Sequence, residues 1–297
     1  MFRRLVSLAV LVLATLGCSK KNDSGGDSET ASGPAYTIKL CDERQGEKVA
    51  VVEIKKKTFT SIASGPKGKK NESKTDIERY EYTETVADMP AGAGRATSVT
   101  RAYKVAEKSE NGGPPKSLSY AGKTLVIEKK GGSYTFTANG KNLPADEARG
   151  FRDTYESRGR DEKVKNEDML PKKAVQVHEK WTIEPDVMRK FATDFAFPID
   201  LDKSKGTGRL TKAYTKDDHQ WGVIEVKLDL AIVEKGTNGL SGYLTATMTF
   251  DTAIDGSSAD GVVKMKMTGR LSGKPGPGVD LEITVDFDDT KTRTTVE

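Results

Sequence analysis

From Gly208 onward the chain alternates apolar and polar residues with period two. In Val223 to Val233, Ile224, Val226, Leu228, Leu230 and Ile232 share one side, and Glu225, Lys227 and Asp229 share the other. In Tyr243 to Phe250 the apolar side carries Leu244, Ala246, Met248 and Phe250, opposite a row of Thr. In Val262 to Leu271 it carries Val263, Met265, Met267 and Leu271, opposite Lys264, Lys266 and Arg270. In Val279 to Phe287 it carries Leu281, Ile283, Val285 and Phe287, opposite Asp280, Glu282 and Asp286. Period two is the signature of half-buried strands. With Arg209 to Thr215 ahead of them, these segments predict an antiparallel meander with one dry face. Asp217-Asp218 and Lys274-Pro275-Gly276-Pro277-Gly278 supply turns. The last two strands are basic and acidic on their outer faces, so a hairpin sets opposite charges side by side.

The first half alternates over shorter stretches. Tyr36 to Cys41 predicts a short strand. In Lys48 to Ile62, Ala50, Val52 and Ile54 oppose Val49, Val51 and Glu53; the pattern breaks at Lys55-Lys56-Lys57, which predicts a bulge or bend. Asp76 to Val86 places Tyr80, Tyr82 and Val86 inward, and Ala96 to Val105 answers with Val99, Tyr103 and Val105. Glu84 and Arg101 fall on this same face, as a cross-strand ion pair at the sheet edge or a polar spot in a ligand cleft. Lys130-Gly131-Gly132 joins a hairpin.

Two segments follow the helical period instead. Pro144 opens the first, Ala148, Phe151 and Tyr155 form its stripe, and Gly159 ends it. Glu184-Pro185-Asp186 opens the second, with Met188, Phe191, Ala192 and Phe195 on one face and Pro198 as its stop. Between them Val175 to Ile183 reads as a strand anchored by Val175, Val177 and, after a slip, Trp181. A sheet with one apolar face must cover it. The expected fold is therefore mainly β (α+β): a curved antiparallel sheet or half-barrel meander covered by two amphipathic helices. One β-rich domain spans 35–297, with halves at 35–140 and 170–297 joined by a helix over 144–158.

The start of the chain changes the picture of where this domain works. Arg3 and Arg4 precede an apolar run from Leu5 to Leu16, too short to span a bilayer, and Thr15-Leu16-Gly17-Cys18 closes it. A small residue before cysteine after such a run resembles the lipobox of bacterial lipoproteins. The resemblance implies cleavage after residue 17, acylation of Cys18, and anchoring by several acyl chains, since each buried methylene contributes about 0.8 kcal/mol. Ser19 follows, not Asp, which by the same analogy places the protein at the outer membrane, on its periplasmic or surface side. Without lipidation the leader is an ordinary secretory signal, and Cys18 is free to pair with Cys41. Residues 18–34 hold no aromatic or branched aliphatic side chain and read as a flexible tether.

Composition narrows the partners. The chain has 297 residues and a net charge of +4, of which Arg3 and Arg4 leave with the leader, so the mature charge is +2. Charged residues are 31% and interspersed in sign, which is a solvated surface and not a nucleic-acid footprint. Two His and two Cys leave no zinc-type pattern, and His178 and His219 stand apart in a strand and a turn. Asp251, Asp255 and Asp260 lack the spacing of a calcium loop and read as turn residues. No nucleophile or phosphate-loop motif is present, so neither catalysis nor a cofactor is expected.

Val175-Gln-Val-His178-Glu-Lys-Trp181, after Leu170-Pro171, resembles a Val-x-Val-Gly-Asp/Glu-x-Trp segment of uncharacterised secreted lipoproteins of planctomycete-type bacteria, with His178 at the Gly position. The curved sheet with inner helices also resembles, in outline, bacterial lipoprotein carriers that shelter acyl chains. Together these readings point to a non-enzymatic, membrane-anchored envelope protein. Its cavity would be lined by Met188, Phe191, Phe195, Met248, Phe250, Met265 and Met267 and would bind an apolar or amphiphilic ligand. The alternative is a structural or protein-interaction surface domain in which the same residues are plain core.

Overall fold

The structure, a computed structural model, describes residues 32–41, 44–66, 68–90, 96–156, 164–194, 198–234, 237, 239–276 and 278–296. The leader with Cys18, the end of the first predicted helix at Gly159, and Phe195 lie outside the described residues.

Strands β1 (Ser32–Tyr36), β2 (Lys48–Gly65), β3 (Gly68–Asp88), β4 (Ser98–Ser109), β5 (Lys116–Ser117), β6 (Thr124–Lys130), β7 (Ser133–Ala138) and β8 (Lys141–Asn142) precede helix α1 (Ala145–Tyr155). Strands β9 (Val175–Val177) and β10 (Lys180–Thr182) lead into helix α2 (Pro185–Asp194). The meander follows as β11 (Ile199–Lys216), β12 (His219–Ile232), β13 (Leu240–Ala253), β14 (Gly261–Gly276) and β15 (Val279–Thr295). One sheet takes thirteen of these strands, in the order β10-β11-β12-β13-β14-β15-β2-β3-β4-β6-β7-β8, with β5 beside β4. Its neighbours are antiparallel throughout, and its two end strands do not meet, so the curved sheet stays open. Those end strands are three and two residues long.

Each half buries its own face under a helix. Val187, Met188, Phe191 and Ala192 of α2 pack on the meander with Ile224, Val226, Leu228, Leu244, Met265 and Phe287. Ala148 and Phe151 of α1 pack on Tyr82, Tyr103, Tyr120, Leu125, Ile127 and Phe136. Two glycines on the inner side of β11 make room for the first cover. A Cβ at Gly206 would stand 2.7 Å from Ile183, and one at Gly208 would fall inside the Trp181 indole. Trp181 is held there by donating Nε1–H to the Met169 carbonyl at 2.9 Å.

Several expectations are corrected. β2 runs without a bulge through Lys55-Lys56-Lys57 and keeps an unbroken register with both neighbours, because a partner on each side straightens it. The bulge lies instead in β4: Tyr82 pairs with Tyr103 and Glu81 with Val105, so Val105 turns out and Ala106 turns in. The stretch Val175 to Ile183 is two strands, divided at His178, whose φ is +68°. Pro144 is the N-cap of α1 and not its first turn. The end of the expected tether is already ordered: Ser32–Tyr36 pairs with β9 through its backbone, which needs no apolar side chain. The strands of the meander are all longer than their apolar runs; β15 continues eight residues past Phe287.

Candidate functional site

The two halves meet where β15 pairs with β2, from Asp280 opposite Ser64 to Thr295 opposite Val49. At this joint the inner face changes character. One row of cross-strand partners runs Val226, Met248, Met265, Asp289, Lys55, Glu78, Lys108 from β12 to β4. The next runs Ile224, Phe250, Val263, Lys291, Glu53, Tyr80, Ala106. Arg293 lies opposite Val51, which lies opposite Tyr82, and Glu84 opposite Arg101. A strip of ionisable side chains therefore separates the Met-Phe core of the meander from the aromatic core under α1.

Glu84 and Arg101 form the expected pair, with Arg101 Nε donating to Glu84 Oε2 at 2.7 Å. They sit inside the sheet and not at its edge. Arg101 also donates to the Tyr155 hydroxyl at 3.1 Å and lies 4.8 Å from the centre of the Tyr82 ring. Arg293 reaches Glu84 from the other side at 3.7 Å. Lys55 Nζ stands 3.2 Å from Glu53 Oε1 and 5.4 Å above the Tyr80 ring. Asp289 is fully buried, and neither of its oxygens has a hydrogen-bond partner among the described residues. The Tyr82 hydroxyl and Arg293 Nε are also buried and without such a partner. Each buried polar group left so costs about 1–3 kcal/mol.

The strip sorts its protons by burial and neighbour charge. Burial holds the Asp289 carboxyl far above the usual carboxylate range; Lys55 pulls against it and the Glu53 charge pushes with it. Burial acts on Glu53 as well, but Lys55, Lys291 and Arg101 outweigh it and keep Glu53 ionised. Glu84 is likewise lowered, its burial outweighed by Arg101, Lys291 and Arg293. Burial lowers Lys291, against the pull of Glu53 and Glu84. Burial and neighbouring charge thus favour the neutral form of Asp289 and the ionised forms of Glu53 and Glu84.

The residues expected to line a cavity come together in one cluster. Met188, Phe191, Met248, Phe250, Met265 and Met267 are 1–5% exposed and pack between α2 and the meander. Two hollows, of about 210 and 340 Å³, lie elsewhere, on the outer face. The first is lined by Lys180, Thr207, Arg209 and Glu225, the second by Tyr243, Thr268, Arg270 and Asp286. Asp251, Asp255 and Asp260 serve turns and strand ends: Asp255 accepts the Gln220 and Ser257 amides, and Asp260 accepts the Thr295 hydroxyl at 2.7 Å. Among the described residues no three His, Cys, Asp or Glu side chains gather as a metal site.

The apolar-to-polar alternation missed Asp289, Lys291 and Arg293. A weaker signal was present: Thr290, Thr292 and Thr294 keep period two between them, so the strand pattern outlasts its apolar members.

No protein-family model matches this chain, and no curated protein matches it. Among solved structures it is similar to lipovitellin, in a structure concerned with lipid–protein interactions, at 9% identity and a TM-score of 0.37. That alignment covers 86% of this chain and 26% of the lipovitellin chain. A likeness at that score carries no argument, and the chain spans about a quarter of that protein's length.

Proposed function

We propose that this is a non-enzymatic envelope protein, anchored by acylation of Cys18 at the outer membrane, whose sheet-and-helix domain binds an amphiphilic ligand on its inner face. One observation supports the reading. Across the β14–β15 pair and along β15 the inner face turns from Met265, Met267 and Phe287 to Asp289, Lys291 and Arg293. An amphiphile is divided in the same way, with its chain suited to the Met-Phe side and its head to the charged strip. The reading involves no cofactor and no nucleic acid.

The second reading is a structural or protein-interaction domain with a filled core. It is favoured by the burial of Met188, Phe191, Met248, Phe250, Met265 and Met267 at 1–5% exposure. Purification of the full chain from its own membrane, followed by intact and fragment mass spectrometry, separates the two. Acylated Cys18 with a lipid bound in stoichiometric amount is the expected result. Acylated Cys18 with nothing bound favours the second reading. Unmodified Cys18 overturns the anchor.

A further inference from the structure

We infer that the free edge of β3 at Gly68–Lys74 pairs with the same edge of a second copy of this chain, antiparallel, about a two-fold axis at Asn71. The inference stands apart from the amphiphile reading and needs no ligand. On one side β3 pairs with β2 from Gly68, opposite Gly65, to Thr85, opposite Lys48. On its other side pairing with β4 reaches only to Ile77, opposite Ser109. The last backbone bond there is to the Thr75 carbonyl, which accepts the Gly112 N–H at 2.9 Å. Beside it the Asp76 carboxylate accepts the Asn111 N–H at 3.0 Å. From Gly68 to Lys74 no described residue pairs with that side, and all seven residues are exposed. A free edge of this length, about 23 Å, is a template for another strand. The direction of its free groups follows from the ladder. Thr75 points its carbonyl away from β2, and an antiparallel ladder repeats every two residues, so Ser73, Asn71 and Lys69 point their N–H and C=O the same way.

The edge is complementary to itself in one register. Pairing about Asn71 uses the whole free stretch, because Asn71 is its midpoint. Asn71 then meets Asn71, and Lys69 meets Ser73 in both directions. Three residues from each copy, each with one donor and one acceptor, close six hydrogen bonds. Lys70 and Glu72 already form an ion pair at 2.5 Å within one copy. In this register they stand opposite Glu72 and Lys70 of the second copy, so four charges alternate in sign. Moving the axis to Lys70 sets Lys70 against Lys70. Moving it to Glu72 sets Glu72 against Glu72 and Lys70 against Lys74. Like charges directly opposite destabilise a sheet, so both shifts are disfavoured. A two-fold contact closes on itself and gives a dimer, not a fibre. The seven residues hold Lys69, Lys70 and Lys74 against Glu72, an excess of 3 − 1 = +2 per copy. That excess opposes association at low salt and is screened at high salt. An edge-only contact is also small, which places the dimer in the weak, transient class.

The test is sedimentation equilibrium of the full chain in density-matched detergent, up to about 100 µM. The expected result is a monomer–dimer equilibrium that shifts toward dimer by several-fold as salt rises from about 0.05 to 0.5 M. Asn71→Pro removes the N–H at the axis. Proline is accepted on an edge strand where the N–H faces solvent, so this variant should be monomeric with its fold intact. Glu72→Lys sets Lys against Lys at both crossings and should weaken the dimer by about tenfold or more. Lys70→Glu mixed one to one with Glu72→Lys should form a heterodimer in preference to either homodimer, because each Glu then faces a Lys. A chain that stays monomeric at the highest concentration and salt overturns the pairing. A dimer unchanged by Asn71→Pro and Glu72→Lys lies on another surface and overturns it as well. A monomer that binds an alternating Glu-Thr octapeptide, more tightly after Glu72→Lys, overturns self-pairing and assigns the edge to an acidic strand of another protein.

Discussion

Replacing Asp289 by Asn tests where the strip keeps its proton. Asp289 is fully buried, faces Lys55 across the ladder and has no hydrogen-bond partner among the described residues. Burial lifts its folded-state pKa above the unfolded value. The folded protein then binds this proton more tightly than the unfolded chain does. The contribution to stability is full below the unfolded pKa of about 3.9 and is lost as pH rises toward the folded pKa. The loss is about 1.4 kcal/mol per pH unit. Between pH 5.5 and 7.5 the native protein should lose roughly 3 kcal/mol through this one group. The Asp289→Asn variant keeps the shape and has no proton to lose, so it should gain that amount on the native protein across the window. Glu53 and Glu84 are both lowered and finish titrating below it. The assay is urea unfolding of both proteins at pH 5.5, 6.5 and 7.5. A difference that stays constant with pH would refute the reasoning, because Asp289 would then be ionised and paired with Lys55 in the folded state.

Three further outcomes follow from single contacts. Arg101→Met strands Glu84 in the sheet interior and should cost about 3–5 kcal/mol in urea unfolding, while Arg101→Met with Glu84→Leu should recover at least half; a double variant as unstable as the sum would remove the pair from the account. Gly208→Ala drives a methyl into the Trp181 indole and should cost about 1–3 kcal/mol or more, measured as a fall in melting temperature that Trp181→Leu partly reverses; an unchanged melting temperature with Trp181 intact would contradict the packing. His178 has a left-handed backbone, so His178→Val should be less stable than His178→Gly by about 1–2 kcal/mol, and equal stabilities would show that the backbone there is extended.

Legibility followed the length scale of the forces. Period-two alternation works when one face is apolar, and it placed Met265 and Met267 inward against Lys264 and Lys266 outward, as the burial shows. It also foresaw the outer-face charges: Lys266 stands opposite Asp288, and Arg270 reaches Glu282 at 2.5 Å. It failed where the inner face itself is charged. Asp289, Lys291 and Arg293 lie past the last apolar residue of the alternation, and nothing in their own segment tells an inward charge from an outward one. Lys55 misled for the same reason: three consecutive lysines looked like a break, yet Lys55 points inward to Glu53 at 3.2 Å and the strand stays straight.

Local chemistry thus determined which segments form the meander strands, which segments carry α1 and α2, and which side of each meander strand is dry. Propensity, turn residues and hydrophobic period act over a few neighbours, and they are written in the order of the chain. Tertiary structure alone decided that β15, the last strand, lies beside β2, with more than two hundred residues between the partners Thr295 and Val49. That choice depends on two backbone edges meeting and on charges supplied from opposite ends of the sequence. Lys291 has Glu53 opposite it, and Asp289 has Lys55, through the same ladder. The strip, and any site it forms, exists only once that ladder closes.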